Sequence, residues 1–192
     1  MADTGVHAMG SSRLLSLRAQ PAPWLDELAA GLSALPVCRQ MAQGSTLWLR
    51  LGPDEWWCWC EGGDEPAMQE AVQEAMQEAM QGVIERVAHA AGPAHHACVD
   101  LSDAYCALLL APPAVDLLAQ GCDLDFARLA ADFAGRTRLS AYTVVLAPSR
   151  AEPGAMWLWA DASLAESLQA WLARAAALLA ASSAAPGVPP GS

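Results

Sequence analysis

The chain has 192 residues, of which 54% are hydrophobic and 16% are charged, and its formal net charge is −11. This length suits one compact domain rather than two. All ten basic residues are arginine and they form no basic stripe, which excludes the backbone of a nucleic acid and an anionic membrane surface as natural partners. The absence of lysine excludes Schiff-base and P-loop chemistry.

The first sixty residues predict strands around one short helix. Residues 1–11 should be disordered and carry no secretory signal, so the protein is expected in the cytoplasm. Alternating leucines predict a strand over residues 13–19, and leucines at helical spacing predict a helix over residues 24–35. A weak strand is expected over residues 38–42.

A tight turn at Pro53 and Asp54 should join two strands, residues 45–51 and 56–60. Both faces of these strands are apolar. One face is therefore expected to pack in the core, and the other against a helix or a partner.

Residues 64–91 predict one long helix with an internal repeat, Gln-Glu-Ala followed by Val or Met. A four-residue period drifts around a helix, so the apolar side chains form a slanted stripe. We interpret this stripe as a packing face rather than a Met-rich docking groove. Its members are Met68, Val72, Met76, Met80 and Ile84.

The second half of the chain repeats the mixture of strands and helices. Apolar runs and turn residues predict strands over residues 96–101, 105–111, 138–147 and 155–160. They also predict a short helix after Pro112-Pro113 ending at Gly121, and either a loop with a helical turn or a second short helix over residues 122–133. Ser163 and Glu166 have the spacing of a capping box, which predicts the start of a last helix. Residues 181–192 are expected to be disordered.

This order approximates β-α-β-β-α in each half. It predicts an α+β fold in a single domain, with antiparallel sheets and packed helices in a ferredoxin-like style.

Sequence motifs for cofactor chemistry are missing. There is no G-x-G-x-x-G, Walker or G-x-S-x-G motif. Cys58 and Cys60 share one strand face, and His95-His96 or Cys98 could complete a zinc site, but the spacing is unlike that of a CxxC knuckle. We therefore expect no metal site.

Three groups of polar residues remain as candidates. Asp54 and Glu55 could form an acid–base pair, although we favour a hydrogen bond from Asp54 within its own turn and a solvated Glu55. Asp100 and Asp103 lie near Ser102 and need donors if they are buried, so a structural partner is favoured over catalysis. The third pair could clamp a carboxylate or an acidic partner: Arg136 and Arg138.

Five segments in order resemble the gamma subunit of heterotetrameric sarcosine oxidase. They are residues 49–56 (Leu-Arg-Leu-Gly-Pro-Asp-Glu-Trp), 99–103 (Val-Asp-Leu-Ser-Asp) with the apolar run 107–110, 121–125 (Gly-Cys-Asp-Leu-Asp), 136–139 (Arg-Thr-Arg-Leu), and 157–171. The resemblance implies a gamma-like domain over residues 12–180, with a fold related to the folate-binding part of aminomethyltransferases. Residues 57–60 depart from the family pattern, and the repeats extend the helix at residues 64–91.

The resemblance also implies a function. In the family, the complex demethylates sarcosine oxidatively to glycine and passes the one-carbon unit to tetrahydrofolate. FAD, FMN, NAD and folate belong to the larger subunits, so this chain should bind no cofactor, hold no catalytic residue, and turn over no sarcosine alone. Its partners would be the alpha, beta and delta subunits, contacted through Gly52, Pro53, Asp54, Glu55, Trp56, Trp57, Trp59, Arg136 and Arg138.

The alternative is a stand-alone folate-binding protein for one-carbon transfer. In that hypothesis Asp100 or Asp103 would be the carboxylate that binds the pterin. A scaffold without any ligand is the third reading of the chain.

Overall fold

The computed structural model describes residues 5–8, 12–60 and 69–184, with side chains 69–76, 79, 183 and 184 left out of the description. The described helices are α1 (Gln69–Ala91), α2 (Ala114–Leu118) and α3 (Ala165–Ala184). The described strands are β1 (Val6–Ala8), β2 (Arg13–Ala19), β3 (Arg39–Gln43), β4 (Thr46–Gly52), β5 (Glu55–Cys60), β6 (His96–Asp100), β7 (Tyr105–Leu110), β8 (Gly135–Leu139), β9 (Tyr142–Pro148) and β10 (Met156–Asp161).

The ten strands form two five-stranded sheets. One sheet has the order β3-β4-β5-β2-β6 and the other the order β1-β7-β10-β9-β8. Every ladder in both sheets is antiparallel. None of the helices in the described part of the chain is long and apolar enough to cross a membrane.

Each strand of the central hairpin β4–β5 separates two apolar layers. Trp57 and Trp59 point to the layer between the sheets, where they join Trp157 and Trp159 of β10. Trp56 and its neighbours on the opposite face pack against α1 and the segment after β2. A third cluster lies between the second sheet and α2 and α3. The layers therefore run helix, sheet, sheet, helix, which explains why these strands are apolar on both faces.

The two halves of the chain exchange their edge strands. β1 precedes β2 in the chain but pairs with β7, whereas β6 precedes β7 but pairs with β2. The remaining order is the same in each half, because β3-β4-β5-β2 corresponds to β8-β9-β10-β7. Neither sheet can reach five strands without the other half, so the halves should unfold together.

The predicted fold class is confirmed. The chain has antiparallel sheets, packed helices and the α+β arrangement expected in one domain. The detail differs, since each half holds five strands where the β-α-β-β-α order has three, and in the first half turns replace the first helix.

The predicted helix over residues 24–35 is wrong. A 3-10 helix covers Pro23–Glu27, and turns follow it. Asp26 accepts hydrogen bonds from the N–H and hydroxyl of Ser33 at 2.8 and 2.7 Å, and Gly31 has φ +85°. These local bonds compete with the helical ladder. The leucines that suggested a helix are nonetheless buried, as the packing face requires: Leu25, Leu28, Leu32 and Leu35.

The predicted single strand over residues 138–147 is also wrong, because it is a hairpin. β8 ends at Leu139 and β9 begins at Tyr142. Ser140 adopts φ +54° in the turn, and its N–H donates to the carbonyl of Gly121 at 2.7 Å. No Gly, Pro or Asn marks this turn in the sequence.

Differences at the remaining helix ends and termini are smaller. The start of the last helix is capped by Asp161, which accepts from the N–H and hydroxyl of Ser163, rather than by the predicted capping box. Within the segments expected to be disordered, residues 6–8 form β1 and residues 181–184 end α3, while residues 1–4, 9–11 and 185–192 lie outside the described residues.

The packing stripe of the long helix is confirmed where side chains are described. Met80 is buried in the core between α1 and the first sheet, and Ile84 packs against the same core. Residues 64–68 and the side chains of Val72 and Met76 lie outside the description.

Gly121 is required by packing rather than by a left-handed conformation. A Cβ at this position would lie 2.7 Å from the ring of Trp171 and 3.3 Å from the backbone nitrogen of Ser140. We expect Gly121→Ala to lower the free energy of unfolding by about 1–3 kcal/mol, measured by urea denaturation.

Gly82→Ala is the matched control for that substitution. A Cβ at Gly82, inside α1, would meet nothing within 4 Å. We expect the free energy of unfolding of this variant to rise by about 0.5–1 kcal/mol, because alanine favours the helix. Equal urea midpoints for the two variants would show that the Trp171 ring moves aside for the added methyl group without loss of stability.

Candidate functional site

The turn between β4 and β5 is held by Arg50. Its guanidinium donates to the carbonyls of Leu35 and Pro53 at 2.6 and 2.9 Å. It also lies 4.9 Å from the centre of the Trp56 ring, a cation–π distance. Pro53 and Asp54 occupy the turn between β4 and β5 that the sequence predicts. The hydrogen bond from Arg50 fastens this turn to the body of the sheet.

Glu55 is the centre of a charge cluster that joins the two sheets. It is the first residue of β5 and its side chain is only 7% exposed. Arg136 of β8 binds both carboxylate oxygens, at 2.9 and 3.2 Å, while Arg18 of β2 approaches one of them at 3.3 Å. The bidentate pair is the strong form of this interaction. The hydrogen bonds that Arg136 donates to Glu55 raise the pKa of Arg136 above its usual value.

The surroundings of the cluster fix its geometry. The Arg136 guanidinium lies 5.7 Å from the centre of the Trp57 ring, and Trp57 meets Tyr105 edge to face at 4.8 Å. Asp54 contacts Arg18 at 3.5 Å. Both side chains are exposed, so this ion pair contributes little to stability. Glu55 is thus not solvated, because its side chain is buried and two guanidinium groups contact its oxygens.

The structure corrects part of the expected docking surface. Trp56, Trp57 and Trp59 are 0%, 1% and 3% exposed, because they fill the layers on either side of the first sheet. These indoles, like the Glu55 side chain, are not available to a partner.

The other expected interface residues are accessible and adjacent. Pro53 is exposed, and Gly52 and Asp54 are half-buried. Arg136 and Arg138 are exposed on β8, which is an edge strand. The bond from Glu55 to Arg136 brings the hairpin turn beside β8. We call this surface the turn–edge patch: Gly52, Pro53, Asp54, Arg136 and Arg138.

The two carboxylates considered for folate are exposed. Asp100 accepts from the N–H and hydroxyl of Ser102 at 2.9 and 2.6 Å. The Ser102 oxygen in turn accepts from the N–H of Leu14 at 3.0 Å. Asp100 therefore stabilises the turn between β6 and β7, while Asp103 is exposed in that turn.

Two cavities lie at the ends of the layer between the sheets. One, of about 250 Å³, is lined by Tyr105, Arg136, Thr143 and Asp161. The other, of about 150 Å³, is lined in part by Trp59, Trp157 and Arg150. Both are below the range of about 300–1,000 Å³ typical of cofactor pockets.

The histidines do not complete a metal site with the cysteines. Nδ1 of His96 donates to the carbonyl oxygen of Ala94 at 2.9 Å, and the His96 ring packs near Trp24. Within the part of the chain that the structure describes, no group of three or more His, Cys, Asp and Glu side chains is placed to hold a metal ion.

Sequence reasoning missed two residues that connect elements. Arg18 is 36 positions from Asp54, and no local pattern signals its place beside Glu55. Gln40, 3% exposed, donates from Nε2 to the carbonyl of Pro148 at 3.0 Å and so links β3 to β9. Gln40 stands in a stretch of mixed polarity, between Arg39 and Gln43, so the sequence carries no signal for its burial.

The architecture is similar to the fold of an aminomethyltransferase. Aminomethyltransferase T of the glycine cleavage system from Bartonella henselae superposes with a TM-score of 0.59 at 14% identity. The match covers 88% of this chain and 45% of that chain. This chain therefore spans less than half of the aminomethyltransferase.

A second solved structure matches over nearly the full length of both chains. A chain of heterotetrameric sarcosine oxidase from Corynebacterium sp. U-96, in complex with pyrrole 2-carboxylate, superposes with a TM-score of 0.71 at 24% identity. The match covers 95% of this chain and 87% of that one. The resemblance predicted from five sequence segments is therefore confirmed at the level of the fold. Comparison with protein-family models and with curated proteins gives no match.

Proposed function

We propose that this chain is a non-catalytic, gamma-type subunit of a heterotetrameric sarcosine oxidase. The observation that carries the proposal is the match over 95% of this chain to one chain of such an oxidase. The two coverages, 95% and 87%, also make the chains similar in length. The part of the oxidase that corresponds to this chain in the proposal is therefore nearly one whole subunit, not a fragment of a larger one.

The arrangement of charged residues supports an accessory role. Glu55 and Arg136, the most buried charged pair described, occupy each other in a bidentate contact. The adjoining cavity is too small for a flavin or a dinucleotide. FAD, FMN, NAD and tetrahydrofolate would accordingly be held by the partner subunits, in a cytoplasmic complex.

The turn–edge patch is the docking surface in this proposal. It combines the edge strand β8 with the exposed side chains of Arg136 and Arg138. The charge of Arg136 is paired with Glu55, whereas Arg138 adds an exposed positive charge to a chain whose net charge is −11. An acidic surface on the alpha, beta or delta subunit would fit it.

Co-expression tests the assembly. The tagged chain would be produced with the candidate alpha, beta and delta subunits of the same genome, purified through the tag, and assayed for sarcosine-dependent peroxide. We expect a yellow, active complex, and no turnover by the chain alone. A chain that stays alone and colourless in the presence of all three subunits would contradict the proposal.

Two charge reversals locate the interface. Arg138→Glu lies in the turn–edge patch, whereas Arg174→Glu changes an equally exposed arginine on the outer helix α3. We expect Arg138→Glu to reduce recovery of the complex at least tenfold and Arg174→Glu to leave it unchanged. The reverse result would place docking on the α3 side.

A stand-alone folate protein is the alternative function. The aminomethyltransferase fold favours it, but Asp100 is engaged by Ser102 in a surface turn. Titration of the isolated chain with tetrahydrofolate separates the hypotheses. Tight binding that is lost in Asp100→Asn or Asp103→Asn would favour the alternative over the accessory subunit.

A further inference from the structure

The outer edge of strand β6 has no backbone partner among the described residues. The N–H of Leu101 donates to the carbonyl of Leu14 at 2.8 Å, which sets the alternation of the antiparallel ladder between β6 and β2. The backbone groups of His96, Cys98 and Asp100 therefore point away from β2. β6 pairs with β2 alone in its sheet, and no backbone hydrogen bond described outside the ladders uses these groups.

The other three edges of the described sheets are protected, each in a different way. β1 is only three residues long. β3 is covered on its outer side, where the N–H of Gln40 donates to the carbonyl of Asp132 and the N–H of Ala134 to that of Cys38. β8 carries two arginines. Short length, coverage and charge are the usual means by which proteins prevent further pairing of an edge strand.

β6 has none of these protections. It covers His96–Asp100, contains no proline, lysine or arginine, and its ladder with β2 has no bulge. Cys98 packs against the core on the helix side, so Ala97 and Val99 lie on the face toward the second sheet. Both are exposed there, Val99 to 52%. β6 thus extends beyond the area that the second sheet covers, and its edge is a template for a further strand.

The sequence of β6 is complementary to itself when it is read in the opposite direction. In an antiparallel pair centred on Cys98, His96 lies opposite Asp100 of the second copy, and Ala97 opposite Val99. The carboxylate of each strand thus meets an imidazole, and each exposed valine meets an apolar side chain. All the outward backbone groups pair, with about six hydrogen bonds. A slip of the register leaves one end of each strand unpaired.

We propose that β6 is a self-association edge, through which two copies of this chain form a twofold-symmetric dimer with one continuous sheet. A second copy is the occupant because this strand supplies its own complement in charge and in apolar contact. Self-association is a property beyond the proposed accessory function. β6 ends the first sheet on the side opposite β3, whereas the segment that leads into β8 lies beside β3. The Arg138→Glu variant therefore tests a different side of the molecule.

Sedimentation equilibrium of the full chain, purified alone and kept reduced, measures the association. We expect a monomer–dimer equilibrium in the micromolar range. Cys98→Pro should weaken the dimer at least about tenfold, because proline removes an outward N–H at the centre of the pair and its ring obstructs the second strand. The ladder with β2 does not use this N–H, so the strand is retained. Cys98→Ser is the matched control and should leave the dimer unchanged.

A second variant tests the edge without a change in the backbone. Val99→Lys places a charge against Ala97 of the second copy and should also weaken the dimer at least about tenfold. Val115→Lys makes the same substitution at an exposed valine of α2, 39% exposed, and should have no effect. Circular dichroism confirms that each variant is folded, and Val99→Lys remains informative if Cys98→Pro does not fold.

Hydrogen exchange followed by NMR locates the contact. The amide protons of His96, Cys98 and Asp100 should exchange at least about tenfold more slowly when the dimer dominates than in dilute solution. A folded wild-type chain that stays monomeric at several hundred micromolar would overturn the proposal. A dimer that persists in both Cys98→Pro and Val99→Lys, or that forms without slower exchange at β6, would overturn it as well and place the contact elsewhere.

Discussion

Replacement of Trp59 by alanine is expected to lower the free energy of unfolding by about 3–5 kcal/mol. Trp59 is 3% exposed in the layer between the sheets. Its ring centre lies 4.6 Å from that of Trp157 and 5.4 Å from that of Trp159. The substitution removes this buried area and both ring contacts, and two facing sheets cannot collapse freely into the space.

Urea denaturation followed by circular dichroism measures the loss, since tryptophan fluorescence itself changes in the variant. Trp59→Phe keeps one aromatic ring and should cost less than half as much. Trp24→Ala is the matched control, because Trp24 is half-buried at the edge of the other face of this sheet and should cost about 1–2 kcal/mol.

The same experiment separates a core residue from a docking residue. A tryptophan that served a partner surface would leave the free energy of unfolding near its wild-type value and weaken only the complex. For Trp59 we expect the opposite result: the substitution lowers the free energy of unfolding, and assembly is weakened only as a consequence of that loss. A stable Trp59→Ala chain that fails to assemble would contradict the burial described here.

Local sequence patterns were sufficient for most strands. The alternation of Leu15 and Leu17 with polar residues predicts β2 with the bounds it has, and Pro53-Asp54 predicts the turn between β4 and β5. These features depend only on residues close together in the chain, so they can be predicted from a single sequence. The two-sided apolar character of β4 and β5 also predicts coverage of both faces.

Features set by distant contacts could not be predicted in this way. The turn at Ser140 is fixed by a hydrogen bond to Gly121, 19 positions away. The exchange of β1 and β6 between halves depends on pairings with strands about a hundred and about eighty positions away. The tryptophans looked like a partner surface because composition does not distinguish a second sheet of the same chain from another subunit.

The candidate site divides in the same way. The sequence placed Asp54, Glu55, Arg136 and Arg138 among the candidates by residue type. It could not show that Glu55 and Arg136, 81 positions apart, bind each other. That single contact buries Glu55, which the sequence analysis favoured as solvated, and brings the hairpin turn to an edge strand.

Arg136→Met is the second variant with a large expected effect, about 2–3 kcal/mol of unfolding free energy. It removes the bidentate partner of a carboxylate that is 7% exposed and leaves only Arg18, whose own side chain is 52% exposed. Removing one member of a fully buried pair costs about 3–5 kcal/mol, and the 39% exposure of Arg136 reduces this.

Urea denaturation of Arg136→Met, Glu55→Gln and the double variant gives the coupling energy directly. Arg138→Met, on the same strand with an exposed side chain and no ion pair among the described residues, should stay within about 0.5 kcal/mol of wild type. A strong pair predicts that the double variant is less destabilised than the sum of the single ones, because Glu55→Gln removes the charge that Arg136→Met would strand. Strict additivity would mean that the Glu55–Arg136 contact does not stabilise the association of the two sheets, and that the turn–edge patch is positioned without it.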